Sequence, residues 1–186
     1  MKREDNDAFR SAVQGLIAGD FSRLEPLFED RDGKPCQIIE WYEAGLFANE
    51  TKALNEALSN ACFVGRASVV QYMLDHGVAA EGGSNTGLNG FHWAVNRGQL
   101  EVVRMLIDHN APLESRSMYG GTVLDMAVWS AINEPKPNHL LIIEALLKAG
   151  AIIHEQVYPS GNEAVDEVFK RFLESAKSEP PAVAGG

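Results

Sequence analysis

The sequence repeats itself with a step of 33 residues, and a repeat of this length is typical of a small number of architectures. One block of matches pairs Ser84, Gly87, Phe91, Ala94 and Val95 with Ser117, Gly120, Leu124, Ala127 and Val128. A second block pairs Gly65, Val69-Val70, Met73-Leu74 and Asp75-His76 with Gly98, Val102-Val103, Leu106-Ile107 and Asp108-His109. Such units stack, and each covers the apolar face of its neighbour.

Within each unit, the apolar residues predict two short helices that form a hairpin. Phe91, Ala94 and Val95 fall three and four residues apart, which places them on one helical face. After a break at Gly98, a second apolar face is formed by Val102, Val103, Leu106 and Ile107. Glycine suits the tight turn between antiparallel helices because it has no side chain to obstruct it.

Three segments each match part of a more specific pattern: a turn with Gly and a T-P-L-H-x-A run, then G-H-x-x-V-V-x-L-L-L-x-x-G-A. They are Gly120–Ala127, Gly90–Ala94 with Gly98–Ile107, and Ile142–Ala151. With these motifs the chain resembles ankyrin-repeat proteins, in particular small bacterial ones with no assigned activity, over Thr51 to Ala151. The resemblance implies an all-α solenoid of stacked helix hairpins with degenerate terminal caps.

Two departures from the pattern are visible. The unit that starts at Thr51 lacks the turn glycine and the T-P-L-H run, so something else should replace its leading hairpin. In the last unit, Val102 corresponds to Ile142, a step of 40 rather than 33. The extra residues fall in 131–138, where Pro135 and Pro137 predict a stiff, non-helical loop.

The ends of the chain read as caps, which a solenoid needs because its terminal repeats lack a neighbour. Residues 1–50 are predicted to form a degenerate N-terminal repeat with one extra short helix bearing Trp41 and Tyr42. Residues 51–156 hold three repeats, and residues 157–177 form a capping helix that Asn162 begins. Residues 178–186 are expected to be a disordered tail.

Composition excludes several kinds of function. A formal charge of −10 and an isoelectric point near 4.9 disfavour nucleic acid, whose phosphates are neutralised by Lys and Arg. Cys36 and Cys62 are the only cysteines, so neither a disulfide framework nor a zinc motif is indicated. The charged N-terminus and the absence of a long apolar run predict a cytoplasmic protein that neither spans nor binds a membrane.

No catalytic residue and no cofactor are predicted. His76 and His109 occupy one repeat position at a helix end, where an imidazole can cap carbonyl groups. His92 and Asp125 share the histidine position of the T-P-L-H run, which is structural in ankyrin repeats. His139 and His154 stand alone in loop-like segments without metal-ligand spacing. The glycine-rich residues 82–90 lack the Lys-Ser/Thr ending of a phosphate loop, and the repeat explains them as a hairpin turn.

The resemblance implies a non-catalytic protein-interaction module whose concave side binds a peptide or a folded partner. By the register of the family, Asn85 and Thr86 are expected on that side. The predicted partner-binding residues are Phe63, Leu88, Trp93, Asn96, Arg97, Met118, Tyr119 and Trp129. Aromatic side chains with an arginine at their edge are typical of interface hot spots. The acidic surface would favour a basic partner.

Other interpretations remain open at this stage. The aromatic side chains could pack on each other or on the segment around Trp41 and Tyr42. A small-molecule site or an enzyme could use a pocket near the proline-rich insertion, and the aromatic strip could mediate self-association. A monomer or a weak homo-oligomer is expected.

Overall fold

The computed structural model describes residues 3–31, 33–83 and 87–178, and within them the chain is a stack of helices. The helices are α1 (Arg3–Ala18), α2 (Phe21–Leu24), α3 (Gln37–Glu43), α4 (Thr51–Val64), α5 (Ala67–Asp75), α6 (Gly90–Asn96), α7 (Leu100–Asp108), α8 (Val123–Asn133), α9 (His139–Lys148) and α10 (Glu163–Ser178). Two 3-10 helices, Glu25–Phe28 and Leu46–Asn49, flank α3. The predicted tail, from residue 179 onward, lies outside the described residues.

Three helix hairpins, α4–α5, α6–α7 and α8–α9, make up the central repeats. Their first helices pack in the order α4, α6, α8, and their second helices pack in the order α5, α7, α9. Ala61, Ala94 and Ala127 are fully buried where the first helices meet, because a larger side chain there would hold the helices apart. The predicted all-α solenoid of stacked helix hairpins is confirmed.

Left-handed glycines make the turn inside the first two hairpins. Gly65 has φ of 74° and Gly98 has φ of 73°, a conformation that costs other residues about 1–2 kcal/mol. The first hairpin has no preceding turn motif, and instead α4 extends over 14 residues from Thr51. A longer helix therefore replaces the leading hairpin turn of this unit.

Caps lie at both ends of the stack. At the N-terminus, α1 and α2 pack on α4, and the extra helix α3 buries Trp41 against Phe9 with 5.4 Å between ring centroids. At the C-terminus, α10 packs on α9. The predicted N-cap Asn162 accepts a hydrogen bond from the Val165 amide at 3.2 Å.

The prediction of a non-helical loop over residues 131–138 is partly wrong. Helix α8 continues to Asn133, and only residues 134–138 are non-helical. The helix ends where it does because a residue that precedes proline is pushed out of the α conformation, and Glu134 before Pro135 has φ of −136° and ψ of 56°. The short loop then returns to the second hairpin, where Asn138 Nδ2 donates to the Gly98 carbonyl at 3.2 Å.

Candidate functional site

The candidate site lies where the tips of two successive hairpins meet the first helices α6 and α8. Both helices start at capped turns. Asn89 Oδ1 accepts from the His92 amide at 3.0 Å, and Thr122 Oγ1 accepts from the Asp125 amide at 3.2 Å. Asp125 Oδ2 in turn accepts from the Thr122 amide at 2.7 Å, which completes a capping box. These bonds fix the orientation of α8 and of the side chains that it carries.

One half of the predicted aromatic strip is packed against the N-terminal cap. Phe21 of α2 contacts Phe63 edge to face with 5.8 Å between centroids, and it contacts Trp93 at 6.0 Å. Phe63 and Trp93 also contact each other at 5.1 Å. The guanidinium of Arg97 lies 4.6 Å from the centre of the Phe63 ring, a cation–π distance. The covering residue is therefore Phe21, whereas Trp41 packs on Phe9 and Tyr42 on Tyr72.

The other half of the strip faces solvent. Tyr119 is 78% exposed, Met118 is 68% exposed and Trp129 is 48% exposed. Met118 and Tyr119 belong to the hairpin tip before α8, which is joined to the preceding tip because the Met118 amide donates to the Gly87 carbonyl at 2.8 Å. Large apolar side chains exposed next to each other in this way mark interaction surfaces.

Between these two halves lies an open cavity of about 600 Å³. Its lining residues are Leu88, Trp93, Asn96, Ser117, Tyr119, Gly121, Thr122, Asp125, Met126, Trp129 and Glu134. A second cavity of about 480 Å³ adjoins it and shares Tyr119, Gly121, Asp125 and Trp129. We call the two adjoining cavities together the aromatic groove, and the volume of each is in the range of ligand pockets.

The eight predicted site residues lie in three settings. Leu88, Trp93, Asn96, Tyr119 and Trp129 line the first cavity. Phe63 and Arg97 lie beyond it in the contact with α2, and Met118 is exposed on the hairpin tip. Leu88 is only 8% exposed, and the amide of Asn96 is used internally, since Nδ2 donates to Ser130 Oγ at 3.2 Å. Asn85 and Thr86 lie outside the described residues.

Sequence reasoning missed the acidic part of the aromatic groove. Asp125 and Glu134 both line the first cavity. Asp125 stands at the histidine position of the T-P-L-H run, where the repeat register favours a structural role and only the negative charge signals a place in the cavity. Glu134 belongs to the insertion, for which the repeat supplies no register.

Two histidines bind main-chain carbonyls at the ends of helices. His76 and His109 donate from Nδ1 to the carbonyls of Tyr72 at 2.7 Å and Met105 at 2.9 Å, which confirms the predicted capping of helix ends. His109 Nε2 also lies 3.1 Å from Asp75 Oδ1 of the preceding repeat. These two bonds, the carbonyl of Met105 first, raise the pKa of His109.

His139 is not in a loop, contrary to the sequence interpretation, but is the first residue of α9 and is buried. Nδ1 accepts from the Lys136 amide at 3.1 Å, so Nε2 carries the proton that points to the Asn96 carbonyl at 3.3 Å. Burial lowers the pKa of His139 and also that of His92. His154, the other residue predicted to stand alone, pairs with Glu114 at 3.2 Å.

The described residues contain neither a metal-ligand cluster nor a helix that could span a membrane. Within them no three His, Cys, Asp or Glu side chains gather into a set able to hold a metal ion. In the same part of the chain, every helix is too short or too polar to cross a bilayer. Cys36 and Cys62 are buried free thiols, and burial raises the pKa of both.

A comparison of the sequence with known protein families agrees with the repeat geometry. A family model described as ankyrin repeats (3 copies) matches residues 36–117 and 58–157, which together cover more than half of the chain. The chain belongs to the ankyrin-repeat family. Ankyrin repeats are generally protein-interaction modules and are typically non-enzymatic.

Two curated proteins share part of this ankyrin-repeat sequence. The "Ankyrin repeat and KH domain-containing protein mask" of Drosophila melanogaster is 33% identical over 99 residues, which are 53% of this chain and 2% of that protein. The human "Ankyrin repeat and KH domain-containing protein 1" is 34% identical over 99 residues, 53% of this chain and 4% of that protein. The chain therefore corresponds to a small part of these long relatives, and the similarity concerns the repeats.

Proposed function

We propose that this ankyrin-repeat chain is a non-catalytic binding module that holds a segment of a partner protein in the aromatic groove. The observation that carries the proposal is the exposure of Tyr119 and Trp129 beside a preformed cavity. A rigid aromatic side chain loses little conformational entropy on binding, and a buried anchor of this kind contributes about 2 kcal/mol or more.

A capture experiment with a displayed library of random peptides tests this function. The wild-type protein should enrich peptides that the double variant Tyr119→Ala, Trp129→Ala does not retain. Circular dichroism and thermal unfolding of the double variant should show that the fold is kept, because both side chains are largely solvent-exposed.

A matched control removes apolar surface elsewhere. Leu140 and Leu141 are 37% and 47% exposed on α9 and do not line either cavity. The variant Leu140→Ala, Leu141→Ala should enrich the same peptides as the wild type. Equal retention of these peptides by the Tyr119/Trp129 variant would refute a binding site in the aromatic groove.

A small-molecule site remains the second candidate, because the first cavity reaches Glu134 at the edge of the proline-rich insertion and is of ligand size. An enzyme is less well supported, since the described residues that line this cavity include no histidine, lysine or cysteine. Thermal unfolding in the presence of a metabolite collection tests the small-molecule candidate, and light scattering of the purified protein tests self-association.

A further inference from the structure

Resting on the proposed function, we infer that the aromatic groove recognises a cationic side chain, lysine or arginine, carried by an extended basic segment of the partner. The inference rests on the combination of aromatic walls with two carboxylates in one cavity. An aromatic ring presents a negative face that attracts cations.

The walls of the cavity are apolar and aromatic. Trp93, Tyr119 and Trp129 contribute three rings, and Leu88 and Met126 contribute aliphatic surface. The long alkyl stem of a lysine or arginine side chain is compatible with such walls, and its charged head is attracted to ring faces.

The charge in the cavity is of one sign. Asp125 and Glu134 are acidic, and none of the described residues lining the cavity is basic. Two basic side chains of the neighbouring elements make contacts elsewhere: Arg97 lies over the Phe63 ring, and Arg116 donates to the Gly120 carbonyl at 2.7 Å. Neither carboxylate belongs to an ion pair of the described residues, and the formal charge of −10 attracts cations to the protein.

Asp125 also has a hydrogen-bonding site left over. Its Oδ2 accepts from Thr122 in the capping box, but its Oδ1 is buried and accepts no hydrogen bond within the described part of the chain. A buried acceptor without a donor is unfavourable by about 1–3 kcal/mol.

The same surface already holds one cation on an aromatic ring. Arg97 lies 4.6 Å from the centre of Phe63, at the end of the strip that the N-terminal cap covers. Trp129 and Tyr119 present exposed aromatic surface further along the strip without such an internal cation among the contacts of the described residues. The second cavity borders the same two rings and offers space for the partner chain beside the inserted side chain.

Nuclear magnetic resonance of the indole N–H groups tests the inference directly. The protein is titrated with three capped tripeptides, Gly-Lys-Gly, Gly-Arg-Gly and Gly-norleucine-Gly, the last being a neutral analogue of the lysine peptide. The lysine or arginine peptide should shift the signals of Trp93 and Trp129 in a saturable way. Trp41, which is 5% exposed and packs on Phe9, is an internal reference that should not shift.

Two variants separate local from general electrostatics. Asp125→Asn with Glu134→Gln removes both carboxylates and keeps an amide oxygen to cap α8, and it should weaken the affinity for the cationic peptides about tenfold. Glu101→Gln with Glu174→Gln changes the net charge equally at exposed positions outside both cavities, and it should leave the affinity within about twofold of the wild type.

The outcomes distinguish this inference from the proposed function. Equal binding of the norleucine peptide, or equal weakening by the two charge variants, would overturn the inference. If no tripeptide binds while displayed peptides without Lys or Arg are retained through Tyr119 and Trp129, the inference fails and the proposed function stands. If the displayed library yields no peptide that depends on these two residues, the proposed function itself fails.

Discussion

His139 Nε2 lies 3.3 Å from the main-chain oxygen of Asn96, which ties the first residue of α9 to the end of α6 in the preceding repeat. Because Nδ1 accepts a hydrogen bond from the Lys136 amide, the buried ring must be neutral to keep both contacts. The insertion thus supports the second repeat through an imidazole whose pKa is lowered by burial.

The free energy of unfolding should therefore fall in acid. Burial holds the pKa of His139 below its unfolded value, so its stabilising effect is complete above the unfolded pKa of about 6.5 and is lost as the pH falls toward the folded pKa. His139→Gln should lose about 1–3 kcal/mol at pH 7.5 and show a shallower loss below pH 6.5. Urea unfolding across this pH range measures both effects. Burial also lowers the pKa of His92, so this residue should still make the stability of the variant fall in acid. If the free energy of unfolding falls with pH as steeply in the variant as in the wild type, His139 is not responsible for the loss.

Removing the capping box should destabilise the third repeat. Thr122→Ala deletes the hydroxyl that accepts from the Asp125 amide, and loss of an N-cap lowers the free energy of unfolding by about 1–2 kcal/mol. Chemical denaturation measures the change. Thr122→Ser is the matched control and should lie much closer to the wild type, because it keeps the hydroxyl. Equal losses in the two variants would attribute the effect to the methyl group instead.

Two glycines with similar backbone angles should respond differently to alanine. Gly77 and Gly83 have φ of 79° and 76°, but a Cβ on Gly77 would meet nothing within 4 Å, whereas one on Gly83 would overlap the main-chain oxygen of Asn55. Gly77→Ala should cost about 1 kcal/mol of stability and Gly83→Ala about 3 kcal/mol, since only the latter also forces the helix α4 and the loop apart. Thermal unfolding of the pair tests this, and equal shifts would contradict the predicted overlap.

Phe21 should control how far Trp93 is exposed to water. The test uses a background in which Trp41 and Trp129 are replaced by Phe, so that Trp93 is the remaining tryptophan. In this background Phe21→Ala should move the fluorescence emission of Trp93 to longer wavelength, because the Phe21 ring contacts both Phe63 and Trp93. The variant should also destabilise the protein by about 3 kcal/mol, since Phe21 is only 3% exposed. Phe21→Leu restores most of the apolar volume and should shift the emission less. An unchanged emission in Phe21→Ala would place the shielding of Trp93 elsewhere.

The sequence predicted the repeats well because the step of 33 residues follows from packing between neighbours of similar structure. Equivalent buried positions, such as those of Ala61, Ala94 and Ala127, need a small residue in every unit. The sequence therefore shows the same pattern in each unit. The register of the hairpins and the capping roles of His76 and His109 followed from it.

The details that break the repeat were less predictable. The contact of Phe21 with Phe63 and Trp93 depends on how the cap docks on α4 and α6, and no residue in another unit reports on this docking. The end of α8 at Asn133 reflects the restriction before Pro135, which acts on one residue rather than on the whole insertion. The cavity between the repeats is equally a product of two units, so single-helix patterns do not show it.

Asp125 has a consequence for how this surface can change over generations. One of its oxygens caps α8, and the same side chain contributes negative charge to the aromatic groove. Most substitutions that would alter the charge offered to a partner would at the same time weaken the third repeat. Asparagine is the neutral replacement that retains a capping oxygen, so few substitutions at this position change the charge and keep the fold stable. Tyr119 and Trp129, in contrast, are exposed and can be substituted with little effect on folding.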